Sequence, residues 1–291
     1  MNNKKNNVVF KFCYDTSFCY EKNELSKTLQ ASLYLHRMVD NSLLYADHYS
    51  KLYKKDEYSK PIHVFTTKNG YVLGNTNVIL NNRFYAATEG ITFSSNPNKI
   101  FKNEQNNFSF KDGGFYKYKF TSEKKVKKAI FIGSSHNYGH WLFNHLARLC
   151  LVEDKLKDYP IIVGEKTAKN FLETLNYFPI KDIIFAKESQ LISVEDLIIP
   201  EMPWYSNGKC VWWLSQISQF LRKKFNVNKK NKLTRNLFLT RKKMKWRRII
   251  NEDEIIKFLK EYDYEVFDPS DYSIAEQIDI AKDVKSMVAP Y

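Results

Sequence analysis

Residues 129–135 read Ala-Ile-Phe-Ile-Gly-Ser-Ser, and this short stretch decides the fold class. Four consecutive apolar residues that end at a glycine turn indicate a strand buried on both faces. From about Tyr138 to Glu153 the chain changes to helical spacing, and most of its side chains there are apolar. A buried strand that leads into a helix is the repeating unit of a parallel sheet covered on both faces.

The same unit recurs along the chain that follows, whereas the residues before about Lys128 are mixed and β-prone. Further strands are predicted at residues 160–164, 182–186 and 196–200, and helices at residues 167–177 and 211–225. Residues 236–289 then repeat the order strand, helix, strand, helix, strand. Two capping pairs are predicted to begin those helices, Asn251 with Glu254 and Ser273 with Glu276. The sequence therefore predicts an α/β protein with two Rossmann-like domains that face a cleft, residues 1–230 and 231–291.

Composition bounds the class of protein. The chain has 291 residues, of which 43% are hydrophobic and 15% aromatic, and this excludes a disordered protein. Its four cysteines (13, 19, 150 and 210) have no zinc-binding spacing, and scattered cysteines suit a reducing compartment. No run is long and apolar enough for a signal peptide or a membrane helix. We therefore expect a cytoplasmic protein, whose basic face could rest on the inner face of the membrane.

The charge is concentrated in one part of the chain. The net charge is +14, and residues 222–248 contain basic residues but no acidic one. Two interpretations remain open for this stretch, a solvated linker between the domains and a surface that binds phosphate groups. A basic chain also suits nucleic acid, but no helix-turn-helix, RNA-recognition or finger pattern is present, so no specific nucleic-acid partner is expected.

Three histidines, His136, His140 and His145, lie within ten residues of each other. Their spacing does not place three metal ligands on one helix face, so no metal site is predicted. The spacing of His140, Asn144 and Arg148 is four residues each time, which places these side chains in one stripe along a helix. That stripe either faces solvent or lines a cleft. The cleft is favoured because the helix begins at the carboxyl edge of the sheet, where open α/β folds bind ligands.

These residues carry a resemblance to a known family. Residues 136–149, His-Asn-Tyr-Gly-His-Trp-Leu-Phe-Asn-His-Leu-Ala-Arg-Leu, resemble the signature of glycosyltransferase family 61, which has Asn-Tyr, His-Trp, an acid or amide, and Arg-Leu. A second landmark is similar to that family's strand end and following helix start, and consists of Leu239-Thr240-Arg241 and Arg247-Arg248-Ile249-Ile250-Asn251-Glu252.

The resemblance implies a GT-B-like architecture and inverting transfer from a nucleotide sugar without an obligate metal. A UDP-sugar is the expected donor, and a glycan or lipid-linked glycan, as in capsular polysaccharide biosynthesis, is the expected acceptor. The sequence departs from the family pattern in two places. Asn144 stands where many members have Asp, and the chain ends at Ala289-Pro290-Tyr291, where members continue, so the second domain is expected to be incomplete.

With an amide at position 144, His140 is the predicted catalytic base, and Asn144 and Arg148 are predicted to orient the acceptor or the imidazole ring. The predicted donor-phosphate site comprises Thr240, Arg241, Arg247 and Arg248 together with the start of the helix capped by Asn251. Two other functions stay open, a truncated or degenerate family member with little activity and a basic nucleic-acid-binding protein.

Overall fold

The computed structural model describes residues 6–13, 21–24, 63–83, 85–87, 108–111, 115–202, 211–227, 233–245 and 248–290. The chain forms two compact units, Met1–Phe220 and Leu221–Tyr291. Both units combine strands and helices, so the predicted α/β class is confirmed. No helix in the described part of the chain is long and apolar enough to cross a membrane.

The first unit is built on a sheet of eleven strands. In chain order they are β1 (Asn6–Cys13), β2 (Glu21–Glu24), β3 (His63–Leu73), β4 (Ile79–Leu80), β5 (Tyr85–Ala87), β6 (Phe108–Lys111), β7 (Phe115–Phe120), β8 (Ser122–Phe131), β9 (Ile161–Gly164), β10 (Ile183–Ala186) and β11 (Gln190–Pro200). Their order in the sheet is β10-β9-β8-β11-β3-β4-β5-β1-β7-β6, and β2 pairs with β3.

The four strands that the sequence predicted to be parallel, β10, β9, β8 and β11, are parallel. The sheet does not end there, because β11 pairs along its length with β3 in the antiparallel direction. The sheet is therefore mixed. Residues 61–65 and 71–73 are β-prone in the sequence, but the polar residues between them gave no sign that one strand, β3, runs through both. Lys68 of β3 forms an ion pair of 3.1 Å with Asp196 on β11, which accommodates the charge within the sheet.

The segment that follows β8 is helical but irregular. It comprises one α-helical turn, α1 (Tyr138–His140), then a π-helix over Trp141–His145 and a 3₁₀-helix over Leu146–Leu151. The predicted continuous α-helix over residues 138–153 is therefore wrong in its geometry. After β9 the chain forms α2 (Lys169–Glu173), which ends in a 3₁₀ turn over Thr174–Tyr177. The helix after β11 is α3 (Val211–Lys224).

The second unit contains a parallel sheet of three strands in the order β13-β12-β14. Its elements are β12 (Arg235–Leu239), α4 (Glu252–Lys260), β13 (Tyr264–Phe267), a 3₁₀ turn over Pro269–Asp271, α5 (Ile274–Lys282) and β14 (Val284–Val288). The first strand lies in the middle, which is the flavodoxin-like order and not the Rossmann order. In that order the chain crosses from one side of the sheet to the other at the carboxyl end of β12, where such folds bind ligands.

The two predicted helix starts differ in their chemistry. Ser273 and Glu276 form the predicted capping box at the start of α5, with both reciprocal hydrogen bonds present. Asn251 occupies the position before α4, but its side chain caps no backbone N–H. Its amide nitrogen donates instead to Glu254 at 3.3 Å, so the capping prediction was right for the position and wrong for the bond.

Candidate active site

The site in the first unit begins with a tight turn at the carboxyl end of β8. Gly133 has a φ of +78°, and a Cβ at this position would lie 2.3 Å from Oδ1 of Asn77. The Asn77 side chain therefore lies against the turn. Its Nδ2 donates to the carbonyl oxygen of Ser134 at 3.1 Å, and the N–H of Ser134 donates to its Oδ1 at 2.9 Å. These two bonds join the loop between β3 and β4 to the turn that leads into the site.

A second contact from the same loop reaches the turn after β9. The N–H of Lys166 donates to Oδ1 of Asn75 at 3.3 Å. A Cβ on Gly164 would lie 2.2 Å from that oxygen and 2.6 Å from Oγ of Ser134. The turns after β8 and β9 and the β3–β4 loop thus meet at one edge of the sheet. No role was predicted for Asn75 or Asn77 from the sequence, because a tertiary contact between distant segments has no local signal.

His140 lies at the end of α1. Asn137 sets the start of that turn, because its Oδ1 accepts from the N–H of His140 at 3.2 Å. The imidazole of His140 is half-buried, and burial lowers its pKa below the usual 6.5. The ring is therefore uncharged at neutral pH and has a nitrogen lone pair that can accept a proton.

Asn144 is the partner of His140. The two side chains are brought together as predicted, with 3.5 Å between Nδ2 of Asn144 and Nδ1 of His140. Asn144 is fully buried, and its Oδ1 has no hydrogen-bond partner among the described residues. A buried acceptor without a partner costs about 1–3 kcal/mol, which indicates a constraint other than packing at this position.

Arg148 lies in the 3₁₀-helix that follows the π-helix of Asn144, so the single α-helical stripe that the sequence predicted is interrupted between these two residues. Its side chain is fully buried, and its guanidinium carbon lies 5.8 Å from the ring centre of Phe131. This distance is within the range of a cation–π contact.

His145 differs from His140 in its environment. Only 2% of its surface is exposed, and Nδ1–H donates to the carbonyl oxygen of Ile132 at 2.7 Å. Burial, together with the positive charge of Arg148, lowers the pKa of His145 to about 3. His145 therefore stays neutral and joins the site helix to the end of β8.

Aromatic side chains hold the site segment from the other side. Trp141 is fully buried, stacks on Phe171 with 6.2 Å between ring centres, and donates from Nε1 to Oγ1 of Thr174 at 3.0 Å. Tyr138 also packs on Phe171, and burial and the charge of Glu173 raise the pKa of Tyr138 to about 12. The phenol consequently keeps its proton at neutral pH and cannot serve as the base.

The site in the second unit lies at the carboxyl end of β12, where the buried carboxylate of Glu252 organises the loop. Thr240 donates from Oγ1 to Oε1 of Glu252 at 2.7 Å, and the N–H of Arg241 donates to the same oxygen at 3.1 Å. The hydroxyl hydrogen of Thr240 is thus engaged by Glu252. No role was predicted for Glu252 from the sequence. A carboxylate in the first turn of a helix is common, and its burial depends on tertiary packing.

Two lysines of the basic stretch have acidic partners that follow in the chain. Lys242 lies 2.5 Å from Asp253, while Lys243 contacts Asp271 and lies 3.6 Å from Asp268. These ion pairs tie the loop after β12 to the start of α4 and to the loop after β13. Because both lysines are more than half exposed, solvent screens these pairs and they add little to stability.

The remaining predicted phosphate ligands differ in their exposure to solvent. Arg241 is half-buried, Arg248 is exposed, and Arg247 lies outside the described residues. The first turn of α4 carries Glu252 and two further acids, Asp253 and Glu254. These three carboxylates lie at the positive end of the helix dipole, where their charge weakens the attraction of this helix start for a phosphate group. Among the described residues, no three His, Cys, Asp or Glu side chains lie together as metal ligands would.

The comparison with protein families identifies the chain. The model of the family Glycosyltransferase 61 matches residues 138–291, more than half of the chain and including both sites. The chain therefore belongs to glycosyltransferase family 61, as its motifs predicted. Membership makes it a glycosyltransferase, an enzyme class that uses a sugar donor and a glycan acceptor. The comparison with curated proteins finds no match.

Proposed function

We propose that the chain transfers a sugar from a nucleotide sugar, with inversion at the anomeric carbon, to a hydroxyl group of a glycan or lipid-linked glycan. The observation that carries this proposal is the His140–Asn144 pair at the carboxyl edge of β8. A half-buried imidazole with a lowered pKa is uncharged at neutral pH and suits a general base.

His140 takes the proton in the proposed reaction. The acceptor O–H bond breaks, its proton moves to the unprotonated ring nitrogen, and the oxygen forms a bond to the anomeric carbon. The bond from that carbon to the diphosphate breaks on the opposite face, and the nucleoside diphosphate leaves with the electron pair. Attack opposite to the leaving group inverts the anomeric configuration.

Asn144 selects the tautomer of His140. A half-turn of its amide about the Cβ–Cγ bond exchanges the oxygen and the nitrogen and turns Oδ1 toward Nδ1 of His140. Nδ1–H then donates to that oxygen, and Nε2 keeps a lone pair directed away from the helix. An amide orients the ring in this way, but it stabilises the protonated ring less than a carboxylate does. Arg148 acts indirectly, because its charge adds to burial in lowering the pKa of His145 and so helps to keep this structural histidine neutral.

The second unit supplies positive charge for the leaving diphosphate. Arg241 is the main candidate, because Glu252 fixes its backbone at the carboxyl end of β12. Thr240 holds the same loop through its hydroxyl and positions Arg241. Arg248 is exposed and can contact a phosphate, and Arg247 and Asn251 complete the predicted donor site. These cations would replace a metal as counter-charge, so no obligate metal is proposed and a UDP-sugar remains the expected donor.

A donor panel tests the proposal. The purified chain is incubated with UDP-, GDP- and CMP-sugars, with and without oligosaccharide acceptors and with EDTA, and release of free nucleotide is followed. We expect turnover with at least one UDP-sugar, unchanged by EDTA, and an inverted anomer in the product by NMR. Binding of UDP without turnover of any donor would instead support the degenerate member of the family that the sequence left open.

A further inference from the structure

We infer that Asn77, in the loop between β3 and β4, is a positioning residue for the transfer site. The inference rests on the proposed function, because it assigns the carboxyl edge of β8 to the chemistry. Asn77 lies outside residues 138–291, the part of the chain that the family model matches. The first part of the chain would therefore set the geometry of a site whose own residues belong to the family segment.

The contact is specific in its geometry. Asn77 uses both functions of its amide on one residue, donating to the carbonyl oxygen of Ser134 and accepting from its N–H. The two residues are 57 positions apart in the chain. Two bonds to the backbone of Ser134 fix both the orientation of the turn and its distance from the β3–β4 loop. No other standard side chain of this length has a donor and an acceptor side by side.

The turn held by Asn77 leads directly to the base. Gly133 must keep a positive φ with Asn77 packed against it, and Ile132, just before it, accepts the hydrogen bond of His145. Three residues after Ser134, Asn137 caps the backbone N–H of His140. The position of His140 is thus set from both ends, by the cap at Asn137 and by His145 one turn further along.

The same loop also holds the neighbouring turn, because Asn75 accepts from Lys166 after β9. Asn75 and Asn77 together hold the carboxyl ends of two adjacent parallel strands in register with each other. Only Asn77 bonds to the segment that carries His140. The effect on catalysis is therefore expected at Asn77.

The expected effect of Asn77→Ala is on kcat. Loss of both bonds releases the Gly133–Ser135 turn, and a displacement of the base by about 1 Å can lower the rate by about 100-fold. We expect a fall in kcat of about 10- to 100-fold with a donor KM within about twofold of wild type, because the cations of the second unit are untouched. Asn77→Asp keeps the acceptor for the Ser134 N–H but loses the donor, so its kcat should fall between those of wild type and Asn77→Ala.

Asn81→Ala is the matched control. Asn81 is a buried asparagine just after β4, and its Oδ1 accepts from a backbone N–H as well, but that N–H belongs to Arg83 and not to the site turn. Both alanine variants lose a side-chain hydrogen bond to the backbone that is partly buried, so both should lower the melting temperature. Only Asn77→Ala should lower kcat.

A second readout does not depend on turnover. In histidine-ring ¹H–¹⁵N spectra the Nδ1–H of His145 should be visible as a hydrogen-bonded proton, and it should shift in Asn77→Ala but not in Asn81→Ala. Equal kcat values and equal His145 spectra in the two alanine variants would overturn the inference. A wild-type chain that turns over no donor would contradict the proposed function alone, while the spectra would still decide the role of Asn77.

Discussion

At the scale of single residues, the three histidines that lie within ten residues of each other differ in their exposure and in their hydrogen bonds. His136 is exposed, His140 is half-buried beside Asn144, and His145 is buried with its Nδ1–H bonded to Ile132. Burial moves the pKa of His140 and His145 in the same direction, but only His140 keeps part of its ring accessible. One histidine can therefore exchange protons with a substrate, while its neighbour serves as a neutral structural donor.

The buried His145 makes stability depend on pH. Its pKa is about 3 in the folded chain and about 6.5 in the unfolded chain, so the unfolded state binds more protons between these values. The contribution is complete above pH 6.5 and is lost as the pH falls toward 3, by up to about 1.4 kcal/mol per pH unit. Urea unfolding at pH 7.5 and 5.5 measures it. His145→Gln should flatten this dependence and His136→Gln should not; equal slopes in all three proteins would contradict the assignment.

Asn144→Asp should change the pH dependence of catalysis. A carboxylate at this position accepts Nδ1–H and stabilises the protonated ring, which raises the pKa of His140 by at least about one unit. The acid limb of the kcat/KM profile should move to higher pH by the same amount, and kcat should rise because the protonated base is stabilised. Asn144→Leu, of similar volume, removes the contact and should lower kcat. An unchanged profile in Asn144→Asp would show that residue 144 does not act on His140.

The sequence could identify His140 and Asn144 as a pair, because an i, i+4 spacing survives in both α- and π-helical geometry. It could not identify the roles of Asn77, Glu252 or His145. Their roles depend on contacts with residues distant in the chain or on complete burial, and neither leaves a local pattern. The position of Arg148 relative to Asn144 depends on the helix type between them, which apolar spacing does not predict.

At the scale of elements, the sequence placed most of the described strands and helices, but β8 and β11 begin earlier than predicted, at Ser122 and Gln190. The pairing of β11 with β3 was missed because polar residues interrupt the apolar pattern of β3. The site segment was predicted as one α-helix because apolar spacing does not distinguish α, π and 3₁₀ geometry.

A substitution of Arg241, in the loop between β12 and α4, tests the proposed phosphate site. Arg241→Ala removes the half-buried guanidinium while leaving the backbone bond to Glu252 in place. A charge-assisted contact of about 1.5–3 kcal/mol corresponds to roughly 10- to 150-fold weaker UDP binding by calorimetry. Lys245→Ala is the control, because this exposed lysine of the same loop should contribute less than about 1 kcal/mol. If both variants lose the same affinity, only the overall charge attracts the nucleotide.

At the scale of the whole molecule, the two units carry complementary chemistry. In the proposed reaction, the first unit provides an uncharged base and its orienting amide, and the second provides cations on a loop that a buried carboxylate fixes. The net charge of +14 is not uniformly available to a ligand, because Lys242 and Lys243 are neutralised by acids of their own unit. The basic stretch is thus partly a structural network of ion pairs.

The proposed reaction depends most on His140 as the general base. The rate of sugar transfer in His140→Ala tests this assignment. The measurement is kcat at saturating donor and acceptor, compared with wild type and with His136→Ala, in which an exposed histidine of the same segment is removed. We predict a fall of at least about 100-fold for His140→Ala with an unchanged melting temperature, and a rate near wild type for His136→Ala. Near wild-type turnover in a folded His140→Ala protein would contradict the assignment of His140 as the base.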